Sequence, residues 1–130
     1  MKISVVTVTY NSEKTVEDTI KSVLSQEYKD YEYLVVDGGS KDNTVEIIKK
    51  YEPLFEGRMR WISEKDKGMY DGINKGIKMA TGDIIGILNA DDTLASNETI
   101  AHIVMSFEET EAVLTYGDLF YCRYIDKKLH

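Results

Sequence analysis

Five apolar residues, Ile84-Ile85-Gly86-Ile87-Leu88, stop abruptly at Asn89 and run into Ala90-Asp91-Asp92. A run with no polar alternation reads as a strand buried on both faces, which is how parallel sheets covered by helices are built. Its C-terminal end then opens on a polar crevice, where open α/β sheets take their ligands. Two adjacent aspartates repel one another there, so solvent, a cation or a polyhydroxyl ligand must stabilise both charges. A plainer reading is equally open: a strand followed by an Asp-rich turn that caps the next helix, with Thr93 and Ser96 as further caps.

The same arrangement recurs along the chain. Ile3-Ser4-Val5-Val6-Thr7-Val8-Thr9 is β-branched at nearly every position and runs into Tyr10-Asn11-Ser12. Asn11 or Ser12 is expected to cap a helix whose apolar positions, Val16, Ile20, Val23 and Leu24, fall at helical spacing. Residues 31–36 form a second strand, stopped by Asp37-Gly38-Gly39-Ser40, a turn with two positions free to take positive φ. A second helix follows, capped by Asp42, Asn43 or Thr44 and ended by Pro53, the only proline. Residues 58–63 alternate as a shorter strand. After the polar stretch Glu64-Lys65-Asp66-Lys67-Gly68, Tyr70, Ile73, Ile77 and Ala80 define the apolar stripe of a third helix, with Asp71, Asn74 and Lys75 forming one polar patch. Lys75 reads equally as part of that patch or as a solvated helix charge, and Gly82 as the glycine past the helix C-terminus. Beyond the strand at Ile84, residues 96–108 read as a fourth helix, residues 112–116 as a fifth strand and Leu119 to Ile125 as a sixth.

Strands alternating with helices predict one domain over residues 1–130, a three-layer α/β/α sandwich with a mostly parallel sheet. In such a sheet Thr9 to Ser12, Asp37 to Ser40, Glu64 to Gly68 and Asn89 to Asp92 line one edge, because each follows a strand C-terminus. The chain has 130 residues, 42% of them apolar, enough for an ordinary core without disulfides. Its one cysteine, Cys122, and the lack of a signal-peptide pattern fit a reducing, cytoplasmic setting, peripheral to a membrane at most. No apolar run is long enough to span a bilayer.

Several function classes drop out. A formal charge of −7 argues against nucleic-acid binding, and two histidines make a His/Cys zinc site improbable. The first turn has no glycine, so the dinucleotide fingerprint is missing, and no P-loop pattern occurs. A phospho-receiver needs acids where this chain has Tyr10 and Asn11. What remains is an acid after strand two, a ring at Tyr10 and the carboxylates after strand four. Hard oxygen donors select Mg²⁺ or Mn²⁺, and a carboxylate such as Asp37 suits a base N–H or a ribose hydroxyl. These needs match a nucleoside diphosphate carrying a substituent.

Val5-Val6-Thr7-Val8-Thr9-Tyr10-Asn11, Val35-Val36-Asp37-Gly38-Gly39-Ser40, Glu64-Lys65-Asp66-Lys67-Gly68-Met69-Tyr70-Asp71-Gly72-Ile73-Asn74-Lys75-Gly76 and Leu88-Asn89-Ala90-Asp91-Asp92 stand in the order of the signatures of family 2 glycosyltransferases with the GT-A fold. The third of these, and Thr115-Tyr116-Gly117-Asp118, resemble the forms found in bacterial exopolysaccharide, colanic-acid and O-antigen enzymes. The resemblance implies an inverting transfer from a nucleotide-diphospho-sugar, commonly UDP-linked, to a glycan or lipid-linked acceptor in surface polysaccharide synthesis.

By position, Thr9, Tyr10 and Asn11 would line the nucleoside pocket and Asp37 would bind the base. Asp66, Gly68, Asp71 and Asn74 would lie near diphosphate and sugar. Asp91 and Asp92 would carry the Asp-x-Asp role, one toward ribose and one toward Mg²⁺ or Mn²⁺. Asn89 stands where the first Asp often is, which leaves the metal carboxylate open. Family members usually continue further, so the catalytic base is expected beyond residue 130, with Asp118 as a weak candidate within the chain. The expected entity is the nucleotide-binding half of a transferase. A non-catalytic nucleotide or nucleotide-sugar module, self-associating as a homo-oligomer, is the alternative.

Overall fold

The computed structural model describes residues 2–109, 114–116, 119–125 and 128–129, with side chains for residues 2–106. Its elements follow the alternation: β1 (Ile3–Thr9), α1 (Val16–Leu24), β2 (Tyr31–Asp37), α2 (Thr44–Tyr51), β3 (Met59–Ser63), α3 (Met69–Met79), β4 (Ile84–Leu88), α4 (Thr99–Glu109), β5 (Leu114–Tyr116), β6 (Leu119–Ile125) and β7 (Lys128–Leu129). The sheet order is β3-β2-β1-β4-β6-β5, with β7 paired to β6.

The first four strands are parallel. β6 then enters antiparallel between β4 and β5. The expected fifth strand is therefore not a parallel neighbour of β4: it reaches the sheet only through a hairpin with β6. A two-residue link between strands cannot make a parallel crossover, which needs a dozen residues or more.

Two unequal apolar layers cover the sheet. On one face Ile3, Val5, Tyr33, Val35 and Leu88 pack under Val16, Ile20 and Val23 of α1, Ile48 of α2 and Ile100, Ile103 and Val104 of α4. On the other, Val6, Leu34 and Ile85 meet Ile77 and Ala80, around α3 alone. That helix lies close to the strands, because a Cβ at Gly72 would stand 2.7 Å from Val8 Cγ1 and one at Gly76 would collide with Val6. Of the expected stripe, Ile77 and Ala80 pack on the sheet beside these glycines, whereas Tyr70 is 83% exposed.

Two boundary expectations shift and one holds. α1 begins a turn later than Ser12, which instead accepts the N–H groups of Thr15 and Val16 in a preceding turn. The second helix does end at Tyr51, and Pro53, which marks that end, sits at the start of a 3-10 turn over Glu52–Phe55, where its missing N–H is harmless. Gly82 is no left-handed cap. Its Cβ would lie 2.7 Å from Ser4 Oγ and 2.9 Å from Lys2 O, so the residue is small because β1 passes against it.

Candidate functional site

The turns after β1, β2, β3 and β4 enclose a cavity of about 900 Å³, within the range of small-molecule sites. Thr9, Tyr10 and Ser12 come from the first turn, Gly38, Gly39 and Lys41 from the second, Lys65, Asp66 and Gly68 from the third, and Asn89, Ala90 and Asp91 from the fourth. Convergence at the strand C-termini follows from the parallel register that aligns Thr9 with Asp37 and Asp37 with Ser63.

Asp37 organises this edge from beneath the cavity. It is fully buried. Its Oδ1 accepts the hydroxyls of Thr9 at 2.7 Å and Ser40 at 2.5 Å, and its Oδ2 accepts the N–H groups of Gly39 and Ser40 at 3.1 and 2.8 Å and the Ser63 hydroxyl at 2.8 Å. Burial pushes the carboxyl pKa up, but the bonds from Ser40, Thr9 and Ser63 outweigh it and hold the group below its ordinary 3.8. Five donors saturate a carboxylate. In this structure Asp37 shapes the turn, while its neighbours Gly38 and Gly39 line the cavity.

Tyr10, 60% exposed, lines the cavity, whereas Asn11 lies outside the lining. At φ 47° Asn11 donates its N–H to Ser40 Oγ and accepts the Lys41 N–H on Oδ1, both at 2.8 Å, stitching the first two turns together. Its short polar side chain tolerates that left-handed backbone.

In the third turn the Asp66 carboxylate is 8% exposed, and its Oδ2 lies between two glycines: a Cβ would come within 2.9 Å of it at Gly38 and 3.0 Å at Gly72. Asp66 Oδ1 pairs with Lys75 at 2.6 Å. Of the two readings of Lys75 the structure takes the patch over the solvated charge, since Glu64 and Asp71 also face it, at 3.1 and 3.6 Å. Gly68, at φ 109°, starts α3 at the cavity edge. Asp71 lies outside the cavity lining and accepts the Lys67 N–H at 2.9 Å, a bond that, ahead of its Lys75 contact, lowers its pKa. Asn74 is exposed and also outside the lining.

The fourth turn separates the carboxylate pair. Asp91 is exposed in the cavity lining, while Asp92 turns back, its Oδ2 accepting from Asn89 Nδ2 at 3.3 Å. The backbone on both sides of Asp91 is tethered by the buried Thr19 hydroxyl, 2.9 Å from Ala90 O and 2.6 Å from Asp92 O. Among the described residues no three His, Cys, Asp or Glu side chains gather as a metal cage. Asp91 alone still suits Mg²⁺ or Mn²⁺, which take most of their oxygens from substrate phosphates and water. Asp118 lies outside the described residues.

Lys41, Lys65 and Thr19 were not singled out from the sequence. Lys41 and Lys65 are legible only as members of turns that follow strands. Thr19 and Ser22 of α1, with Gln26 just past its end, bind the segment after β4: Ser22 Oγ accepts the Leu94 N–H and Gln26 binds Ser96 O and the Ile100 N–H.

The family model described as Glycosyl transferase family 2 matches residues 4–129. The chain belongs to that family. An uncharacterized glycosyltransferase of Mycobacterium tuberculosis is 37% identical over 103 residues, covering 78% of this chain and 38% of its own length. The crystal structure of Staphylococcus aureus TarS 1-349 in complex with UDP-GlcNAc superposes with a TM-score of 0.75 at 30% identity, covering 84% of this chain and 32% of that one. A mannosyltransferase from Pyrobaculum calidifontis in complex with GDP-Man and Mn2+ reaches 0.83 over 93% of this chain and 44% of its own, and at 20% identity that likeness is one of fold. The chain thus spans less than half the length of each of these relatives. Among its described residues no helix is long and apolar enough to cross a membrane.

Proposed function

We propose that this family 2 chain forms the donor-binding part of an inverting glycosyltransferase that takes a UDP-linked sugar to a glycan or lipid-linked acceptor in surface polysaccharide synthesis. The observation that carries the reading is the cavity at the strand C-termini, with the Tyr10 ring on one side and Asp91 on another. The complex of TarS with UDP-GlcNAc, at 30% identity, supports the choice of UDP.

In this reading Tyr10 stacks on the base, the turn ordered by Asp37 closes around the nucleoside, and Lys41 and Lys65 face the diphosphate. Asp91 would hold Mg²⁺ or Mn²⁺, whose charge, when the ion is bound, offsets that of the departing diphosphate. Transfer forms a bond from the acceptor oxygen to the anomeric carbon as the carbon–phosphate oxygen bond breaks, and the diphosphate leaves with the electron pair. The acceptor proton goes to a general base. That base and the acceptor site are assigned to sequence beyond residue 130, in keeping with the greater length of the relatives.

Calorimetric titration of UDP in Mn²⁺ and in EDTA tests the reading. Binding that is tighter with Mn²⁺ is expected. Equal affinity in both removes the metal, and no binding in either overturns the donor site.

A further inference from the structure

The residues lining the cavity carry two cations, Lys41 and Lys65, and two carboxylates, Asp66 and Asp91. Behind that lining, Glu64 and Asp71 add two more negative charges close to Asp66. One ammonium faces all three acids: Lys75 Nζ stands 2.6 Å from Asp66 Oδ1, 3.1 Å from Glu64 Oε1 and 3.6 Å from Asp71 Oδ2, and also donates to Lys65 O at 3.4 Å. It is itself outside the cavity lining and largely covered, with 22% of its side chain exposed. The Asp66 carboxylate occupies space that only glycine leaves open at positions 38 and 72, where a Cβ would come within 2.9 and 3.0 Å of its Oδ2.

We propose that Lys75 is a positioning residue for the donor: it locks Asp66 in the two-glycine cradle and offsets the acids of the β3–α3 turn so that a nucleoside diphosphate can enter. The inference rests on the donor-binding reading above. An anion approaching a site with uncompensated carboxylates meets a repulsion that grows as water is excluded. Lys75 removes that repulsion from behind, leaving Asp66 Oδ2 and the two cavity lysines to the ligand. The ammonium is kept charged, its pKa pushed above the ordinary lysine value first by the Asp66 hydrogen bond and then, against burial, by Glu64. A purely structural clamp would affect every ligand alike. A charge-compensating one discriminates by ligand charge.

The test compares UDP with uridine, which shares the nucleoside and lacks the diphosphate, by NMR titration of wild type, Lys75→Gln and Lys75→Arg, with thermal unfolding of each as a folding check. Lys75→Gln should weaken UDP binding on the order of tenfold and uridine binding by less than about twofold. Lys75→Arg, which keeps the charge in a different geometry, should recover UDP binding to within about threefold of wild type. Equal losses for UDP and uridine, or unchanged UDP binding in Lys75→Gln, overturn the proposal. Failure of wild type to bind UDP overturns the donor reading itself, and the role of Lys75 with it.

Discussion

The two ends of β2 carry two buried carboxylates with opposite assignments. At the C-terminal end Asp37 ties Thr9 of β1, Ser63 of β3 and its own turn into the rim of the cavity. At the N-terminal end Glu32, 6% exposed, binds Ser4 of β1 at 2.6 Å, Arg60 of β3 at 2.8 Å and the N–H of Thr81, before β4, at 2.6 Å. Each acid joins three segments. The difference lies in what surrounds them. Around Glu32 the partners include the cations Arg60 and Lys2, so the site is an ion-pair cluster that seams the sheet. Around Asp37 the partners are hydroxyls and N–H groups, and the turn they order faces an open cavity. A charge balanced by cations holds strands together, while a charge balanced by neutral dipoles on a loop fixes the shape of a binding edge.

Asp37→Ala should have the largest effect, because it orphans the Gly39 and Ser40 N–H groups and three hydroxyls at a fully buried position. A stability loss of about 3–5 kcal/mol is expected, with UDP affinity lost even under conditions where the variant stays folded. Denaturant unfolding and titration read the two effects. Near-native stability with weakened binding would mean that Asp37 contacts the ligand directly.

Glu32→Gln should cost less, about 2–3 kcal/mol, and leave UDP affinity unchanged. Burial opposes the Glu32 charge, but Ser4, the Thr81 N–H and Arg60 overcome it and lower the carboxyl from 4.5 to about 2. A depressed folded-state value stabilises the protein fully above the unfolded value of 4.5, and that stability is lost as pH falls toward 2. The shift corresponds to about 3 kcal/mol. Unfolding free energy measured from pH 5 to pH 2 should therefore fall more steeply in wild type than in Glu32→Gln, and parallel slopes would deny Glu32 this role.

Much of this contrast lay outside what a linear pattern encodes. The strands were legible because β-branched and apolar runs such as Ile3 to Thr9 and Ile84 to Leu88 have few other uses, and the four polar turns were legible because each stops such a run. A turn carboxylate, however, reads alike whether it points outward or inward. Asp37 is settled by its register with Thr9 and Ser63, which is a property of three strands at once. Asp91 and Asp92 look equivalent as neighbours until the Asn89 turn sends them apart. The Asp71 and Lys75 contact was visible as a helical i, i+4 pair, but its extension to Asp66 and Glu64 depends on how the β3–α3 loop folds back. Alternation shows that Leu119 to Ile125 is a strand and says nothing of its direction, so the antiparallel entry of β6 beside β4 was not foreseen.

The central claim is that ligand chemistry is confined to the Asp37 end of the sheet and enters through Asp91. The most direct measurement is calorimetric titration of UDP with Mn²⁺ into wild type, Asp91→Asn and Glu32→Gln under conditions where all three are folded. Asp91→Asn should weaken binding on the order of tenfold through loss of a charge-assisted contact, while Glu32→Gln binds as wild type does. Equal affinity for wild type and Asp91→Asn, or a loss in Glu32→Gln as large as that in Asp91→Asn, would contradict the account.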